Sequence, residues 1–111
     1  MIITTTLPQY KAHNMVIPHS EMERAIKQFN EQCHEKQVLG HLDKHDVPSH
    51  IINGVEITND IIHIDIKVLP STTGEILDGI LSQHLAMSTK VDGFVDEHGS
   101  MTITGLSFCN K

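Results

Sequence analysis

The residues of this chain best suited to nucleophilic chemistry are a serine and a group of histidines. Nine histidines occur among the 111 residues, and four of them lie between positions 41 and 63. Ser88 stands in the segment Met-Ser-Thr-Lys, two residues before Lys90. A histidine within hydrogen-bonding reach can take the proton of a serine hydroxyl and so turn the serine into a nucleophile. Ser88 with a histidine base is therefore one candidate for acyl-transfer chemistry.

Two other roles compete for the histidines. The plainest is that of a surface or hydrogen-bonded side chain without chemistry of its own. A metal site needs three or four converging ligands, and His41 and His45, with Asp43 between them, are candidates. The chain contains no Cys-x-x-Cys or His-Glu-x-x-His motif, no Gly-x-Ser-x-Gly elbow and no Gly-rich phosphate loop. We therefore expect neither a bound metal nor another cofactor.

Composition narrows the classes of function. The length suits one domain with one modest core, and the formal net charge is -6. No run of five or more Lys or Arg residues occurs, so we expect no nucleic-acid surface. No apolar run approaches the ~18–20 residues of a membrane span, and the first residues show no signal-peptide pattern. The lack of a signal-peptide pattern and the presence of two cysteines only, Cys33 and Cys109, together indicate a reduced, cytoplasmic protein.

Periodicity in the first third of the chain predicts a strand and a helix. Residues 2–6 are β-branched and predict a strand, and residues 9–18 read as a loop. Ser20 with Glu23 makes a capping box that would start an amphipathic helix over about 20–36. The stripe that this helix should bury consists of Met22, Ile26, Phe29 and Cys33.

The middle of the chain predicts a hairpin. Residues 38–48 read as a short strand followed by a loop, and apolar alternation then predicts paired antiparallel strands over 48–57 and 61–69. Asn59-Asp60 suits the two-residue turn between them, because both residues tolerate a positive φ. Asn53-Gly54 is a rival turn or a bulge.

The last third predicts a second helix and two more strands. Thr72 opens another capping box, and the apolar spacing after it predicts a helix over about 73–84. A strand over 86–91, a turn over 96–99 and a final strand over 101–108 follow. The whole chain is therefore expected to be a single α+β domain. Its core element should be a mainly antiparallel sheet or a small β-barrel, flanked by two amphipathic helices.

Several segments occur in an order that resembles a known family. Leu-Gly-His-Leu-Asp at 39–43 is followed by Ser-His-Ile-Ile at 49–52, by Pro-Ser-Thr-Thr-Gly at 70–74, and by Met-Ser-Thr-Lys at 87–90. This order resembles that of the prohead core proteases of tailed phages, the herpesvirus assemblin-like serine peptidases. The resemblance extends over nearly the whole chain and implies an assemblin-like fold.

The resemblance also implies roles for particular residues. The nucleophile of the family falls on Ser88, and its base falls on His45 if Lys44 is one inserted residue. His41 is the alternative base. His50 matches the histidine of the family's Val-Ser-His strand and is the candidate third member that orients the base, with Asp43 and Asp65 as alternatives. Lys90 occupies the position of an arginine that would help to stabilise the oxyanion.

The implied function is a serine endopeptidase that cleaves scaffold and capsid proteins by acyl transfer. Its partners would be these phage proteins and further copies of the chain. Its setting would be the prohead in the host cytoplasm, and neither nucleic acid nor a membrane would take part. The segment Ser-Thr-Lys replaces the family's Ser-Ser-Arg, and Pro70 replaces an aspartate. Three alternatives follow: a divergent active protease, a trimmed mature form, or a catalytically inactive assembly protein on the same fold. A histidine-rich metal-binding module is a further alternative.

Overall fold

The computed structural model of the protein describes residues 1–42, 45–83 and 87–110. Within these residues two helices accompany strands that pair in an antiparallel manner. The elements in chain order are β1 (Ile2–Thr6), β2 (Lys11–Ala12), β3 (Met15–Val16), α1 (His19–Glu35), β4 (Val38–His41), β5 (Pro48–Thr58), β6 (Ile61–Val68), α2 (Thr72–Ser82), β7 (Met87–Val95) and β8 (Met101–Asn110). Neither described helix is long and apolar enough to cross a membrane.

The main sheet has the strand order β1-β6-β5-β4. Its centre is the predicted β5–β6 hairpin, whose turn includes Asn59 at a φ of 55°. The pairing shifts register between Ile52 and Gly54, so Asn53-Gly54 forms a bulge and not the turn. The alternating isoleucines of β6 are buried, which places the core on that face of the sheet: they are Ile62, Ile64 and Ile66.

Helix α1 covers this core with the predicted stripe. Met22, Ile26 and Phe29 are buried, whereas Cys33 is half-buried at the edge of the core. The predicted capping box at Ser20 is wrong, because the helix begins earlier, at His19. The Pro18 carbonyl accepts the first helical N–H bonds, and proline already holds the φ that a helix start requires.

Helix α2 begins at Thr72, the residue that was predicted to be its cap. Ser71, and not Thr72, is the N-cap, since its hydroxyl oxygen accepts a 3.0 Å bond from the Gly74 N–H. The same hydroxyl donates to the Pro48 carbonyl at 2.9 Å. This second bond ties the helix start to the beginning of β5 and explains the choice of cap.

The β7–β8 hairpin forms a sheet of its own and packs against the rest through one edge and one end. At the end, the carboxylate of Glu21 accepts the Met101 N–H at 2.6 Å, and Arg24 donates to the Met101 carbonyl at 2.8 Å. At the edge, Leu42 and Phe108 form a single parallel bridge. Hairpin and main sheet thereby enclose one core with α1.

The expected antiparallel α+β arrangement is confirmed, but the alternative of a closed β-barrel is wrong for the described residues. The strands of the described residues form three sheets. One of these sheets is the short hairpin β2–β3, whose strands have two residues each and lie inside the predicted loop 9–18. One reason lies at the edge of β8. The Leu106 carbonyl there accepts from the His50 imidazole instead of from a neighbouring strand.

Candidate functional site

A cleft of about 440 Å³ opens between β4 and the outer face of the β7–β8 hairpin. His45 and Asp46, which follow β4 in the sequence, line one side of it. The ionisable and hydroxyl side chains that line this cleft are those of His41, His45, Asp46, Lys90, Asp92 and Ser107. An imidazole, an ammonium, a carboxylate and a hydroxyl group are therefore available in one place, and these groups suffice for proton transfer and for stabilisation of an oxyanion.

Strand β7 carries Ser88 and Lys90 on the same face. Successive side chains of a strand point to opposite sides, so residues 88, 90 and 92 face outward while Val91 packs into the core. Ser88 is half-buried and pairs with Cys109 across the hairpin. It lies one outward position beyond Lys90, roughly 7 Å along the strand. The cleft, as lined by the described residues, ends at Lys90 and does not include Ser88.

The predicted base His45 lines the cleft from the other side. It follows β4, and its backbone N–H donates to the Leu42 carbonyl at 3.1 Å. Its side chain is exposed. Within the described part of the chain, no hydrogen bond joins the His45 imidazole to the Ser88 hydroxyl. His41, the alternative base, lines the same cleft.

His50 lies beneath the cleft and not in it. Its side chain is 0 % exposed and packs against Phe108 in a tilted arrangement, with the ring centroids 4.8 Å apart and an interplanar angle of 41°. Nε2 donates to the Leu106 carbonyl at 3.1 Å, so Nδ1 is the acceptor of the 2.7 Å bond from the Ser49 hydroxyl. Burial lowers the pKa of His50, and the neighbouring His41 lowers it further, against the opposing effect of the Leu106 bond.

The alternatives for the orienting residue have different positions. Asp65 lies on β6 with its carboxylate 3.5 Å from the Met1 amino group, at a separate cavity. Asp43 lies outside the described residues. The structure thus brings His45, His41 and Lys90 to one cleft, and it assigns both ring nitrogens of His50 to other partners.

Three polar side chains of the cleft were not predicted from the sequence: Asp46, Asp92 and Ser107. Ser107 on β8 is 6 % exposed, and its hydroxyl donates to the Asp92 carboxylate at 2.5 Å. Alternation along residues 101–108 could have placed Ser107 on the face opposite Leu106 and Phe108. The sequence offered no signal for its pairing with Asp92, because that contact depends on the register of the hairpin.

The metal alternative required His41, His45 and Asp43 to converge. The described residues contain no group of three or more His, Cys, Asp or Glu side chains placed to hold a metal ion. Asp43 is outside that part of the chain. Compared with known proteins, the chain matches no protein-family model, no curated protein and no solved structure.

Proposed function

We propose that the chain is a serine endopeptidase similar to the prohead core proteases, built on an assemblin-like variant of the α+β fold. The observation that carries the proposal is the meeting of His45 and Lys90 at one cleft, beside the face of β7 that bears Ser88. The order of segments along the chain supports the same assignment. The substrates proposed are scaffold and capsid proteins in the prohead, within the host cytoplasm, with further copies of the chain as possible partners.

In the proposed mechanism, Ser88 attacks a peptide carbonyl while His45 accepts its hydroxyl proton. His45 then returns this proton to the leaving amine, and water hydrolyses the acyl-enzyme in the second half of the cycle. Lys90, next to Ser88 on the outward face, stabilises the oxyanion together with backbone N–H groups. One such donor contributes roughly 3–4 kcal/mol to the transition state.

His50 supports this site from below in the proposal. Its bond to the Leu106 carbonyl fixes β8, and β8 in turn pairs with the strand that carries Ser88. It is thus a positioning residue that acts through the backbone. His41 takes the part of the base if His45 does not.

Labelling with a fluorophosphonate probe, followed by intact mass and peptide mapping, tests the proposal. A single adduct should form on Ser88, disappear in Ser88→Ala and fall strongly in His45→Ala. Ser82→Ala, at an exposed position at the end of α2, is the matched control and should label like wild type. An adduct that persists in Ser88→Ala, or that maps to another serine, would contradict the assignment.

The second candidate is a catalytically inactive assembly protein on the same fold. The separation of Ser88 from the cleft-lining set and the lack of a Ser88–His45 hydrogen bond among the described residues favour it. Catalytic hydrogen bonds often tighten only when substrate binds, so the labelling experiment decides. The absence of an adduct on a folded sample would contradict the peptidase and favour the inactive alternative.

A further inference from the structure

The floor of the cleft presents oxygen acceptors. A serine hydroxyl has one proton, and Ser107 gives its proton to the Oδ2 atom of Asp92 at 2.5 Å. The Ser107 hydroxyl and the Asp92 carboxylate can therefore offer a ligand only lone pairs, which accept hydrogen bonds. The floor therefore suits a group that donates hydrogen bonds.

Gly105 leaves room for such a group between these acceptors. It pairs with Asp92 across the hairpin. A Cβ atom added at Gly105 would lie 3.6 Å from Asp92 Oδ2 and 3.8 Å from the Leu39 carbonyl oxygen. The missing side chain thus leaves a niche bordered by a carboxylate on one side and a backbone carbonyl on the other. We call the space above Gly105, between Asp92 and Leu39, the acceptor niche.

Within the part of the chain that the structure describes, no ion pair includes Asp92. The ion pairs of the described residues lie away from the niche, at the N-terminus, on α1 and its neighbours, and at the β7–β8 turn. Hydrogen bonds from a cationic donor to a carboxylate are roughly twice as strong as neutral ones. An acceptor niche around a carboxylate accordingly favours a cation over a neutral donor.

We propose that the acceptor niche binds a basic side chain of the peptide that lies in the cleft, so that Asp92 determines specificity. In calling this peptide a substrate, the inference rests on the proposed peptidase function. Asp92 and Ser88 share the outer face of β7, four residues and roughly 13 Å apart. An extended peptide rises by a similar amount per residue, so the basic residue belongs a few positions from the cleaved bond.

Amide NMR titration of the full chain tests the inference without relying on catalysis. The probes are Nα-acetyl-arginine methylamide, its lysine counterpart, and the neutral isosteres with citrulline and norleucine. The basic probes should shift the amide signals of Asp92, Gly105 and Ser107, and the neutral ones should not. Asp92→Asn should weaken binding about tenfold or more, as the loss of a charged hydrogen bond predicts.

Two further variants control for folding and for general charge. Asp46→Asn removes the second carboxylate that lines the cleft among the described residues and should change the affinity less than about twofold, which corresponds to ~0.4 kcal/mol. Gly105→Ala adds a methyl group at ordinary contact distances, so it should fold and yet weaken binding by filling the niche. Equal binding of arginine and citrulline, or undiminished binding by Asp92→Asn, would overturn the inference. A Ser88 adduct without basic-probe binding refutes only the niche, whereas binding without an adduct refutes only the enzyme.

Discussion

Replacing Gly40 with alanine should destabilise the protein strongly, although the change adds only one methyl group. Gly40 lies on β4 and pairs with His50 on β5. A Cβ atom at this position would overlap the imidazole of His50, lying 2.5 Å from its Cε1 and 2.7 Å from its Cδ2. The ring cannot move aside freely, because it is fully buried and hydrogen-bonded at both nitrogens.

The size of the effect follows from these contacts. Forcing extra volume into a packed core costs about 1–3 kcal/mol. If the His50 ring is displaced, its bonds to Ser49 and Leu106 are lost as well, at about 1 kcal/mol each. We therefore expect the free energy of unfolding to fall by about 3–5 kcal/mol in Gly40→Ala, a large fraction of the stability of a small domain.

Gly79→Ala is the matched control, since it makes the same chemical change in an open place. Gly79 is exposed on α2, and a Cβ atom there would contact nothing within 4 Å beyond its chain neighbours and the adjacent helix backbone. Alanine should stabilise the helix by about 0.5–1 kcal/mol. Urea unfolding monitored by circular dichroism measures both variants. A Gly40→Ala protein within about 1 kcal/mol of wild type would refute the claim that His50 is held rigidly.

Three further predictions follow from the ionisable groups. Burial lowers the pKa of His50, so its imidazole binds a proton more readily in the unfolded chain than in the folded protein. The free energy of unfolding should therefore fall as the pH drops below about 6.5. The urea midpoint of His50→Gln should fall less than that of wild type between pH 7.5 and 5.5. The Arg24 hydrogen bonds hold the pKa of Glu21 at about 2. Glu21 therefore stabilises the fold above its ordinary pKa of 4.5, a contribution lost as the pH falls towards 2, and Glu21→Gln should lower the urea midpoint at pH 7 while flattening its acid dependence. Burial raises the pKa of Cys33 to about 11. Its thiol should therefore react with iodoacetamide at pH 8 far more slowly in the native protein than in urea. Mass spectrometry measures both rates, and equal rates would contradict the burial of this thiol.

Local patterns predicted the elements of this fold well where a single strand pair or helix face determines them. The β5–β6 hairpin needed only alternation and the turn residue Asn59, and both are properties of neighbouring positions. The helix caps were less predictable. Ser71 was preferred over Thr72 because its hydroxyl also reaches the Pro48 carbonyl, 23 positions away in the sequence. Tertiary contacts of this kind leave no trace in a local motif.

The sequence named some of the side chains that line the cleft, but it did not predict how the cleft is built. Of the candidate residues, His41, His45 and Lys90 line one cleft, whereas Ser88 and His50 are not part of its lining. The Ser107–Asp92 pair joins residues 15 positions apart, and it arises only from the register of a hairpin that contains its own irregularity next to Asp92. The alternative of a closed barrel was wrong for a related reason, since the His50 side chain of β5 bonds to the edge of β8 where a strand would have to pair.

The position of His50 separates two functions that a histidine could have in this protein. A general base needs a ring nitrogen whose lone pair faces the nucleophile, but Nδ1 of His50 accepts from Ser49 and Nε2 donates to Leu106. His45 is exposed at the cleft and has no such commitment among the described residues. His45→Ala should therefore reduce fluorophosphonate labelling at an unchanged urea midpoint, whereas His50→Gln should lower the midpoint and the labelling together. If labelling is instead lost in His50→Gln at full stability, His50 acts directly in the chemistry, and the cleft must rearrange to admit it.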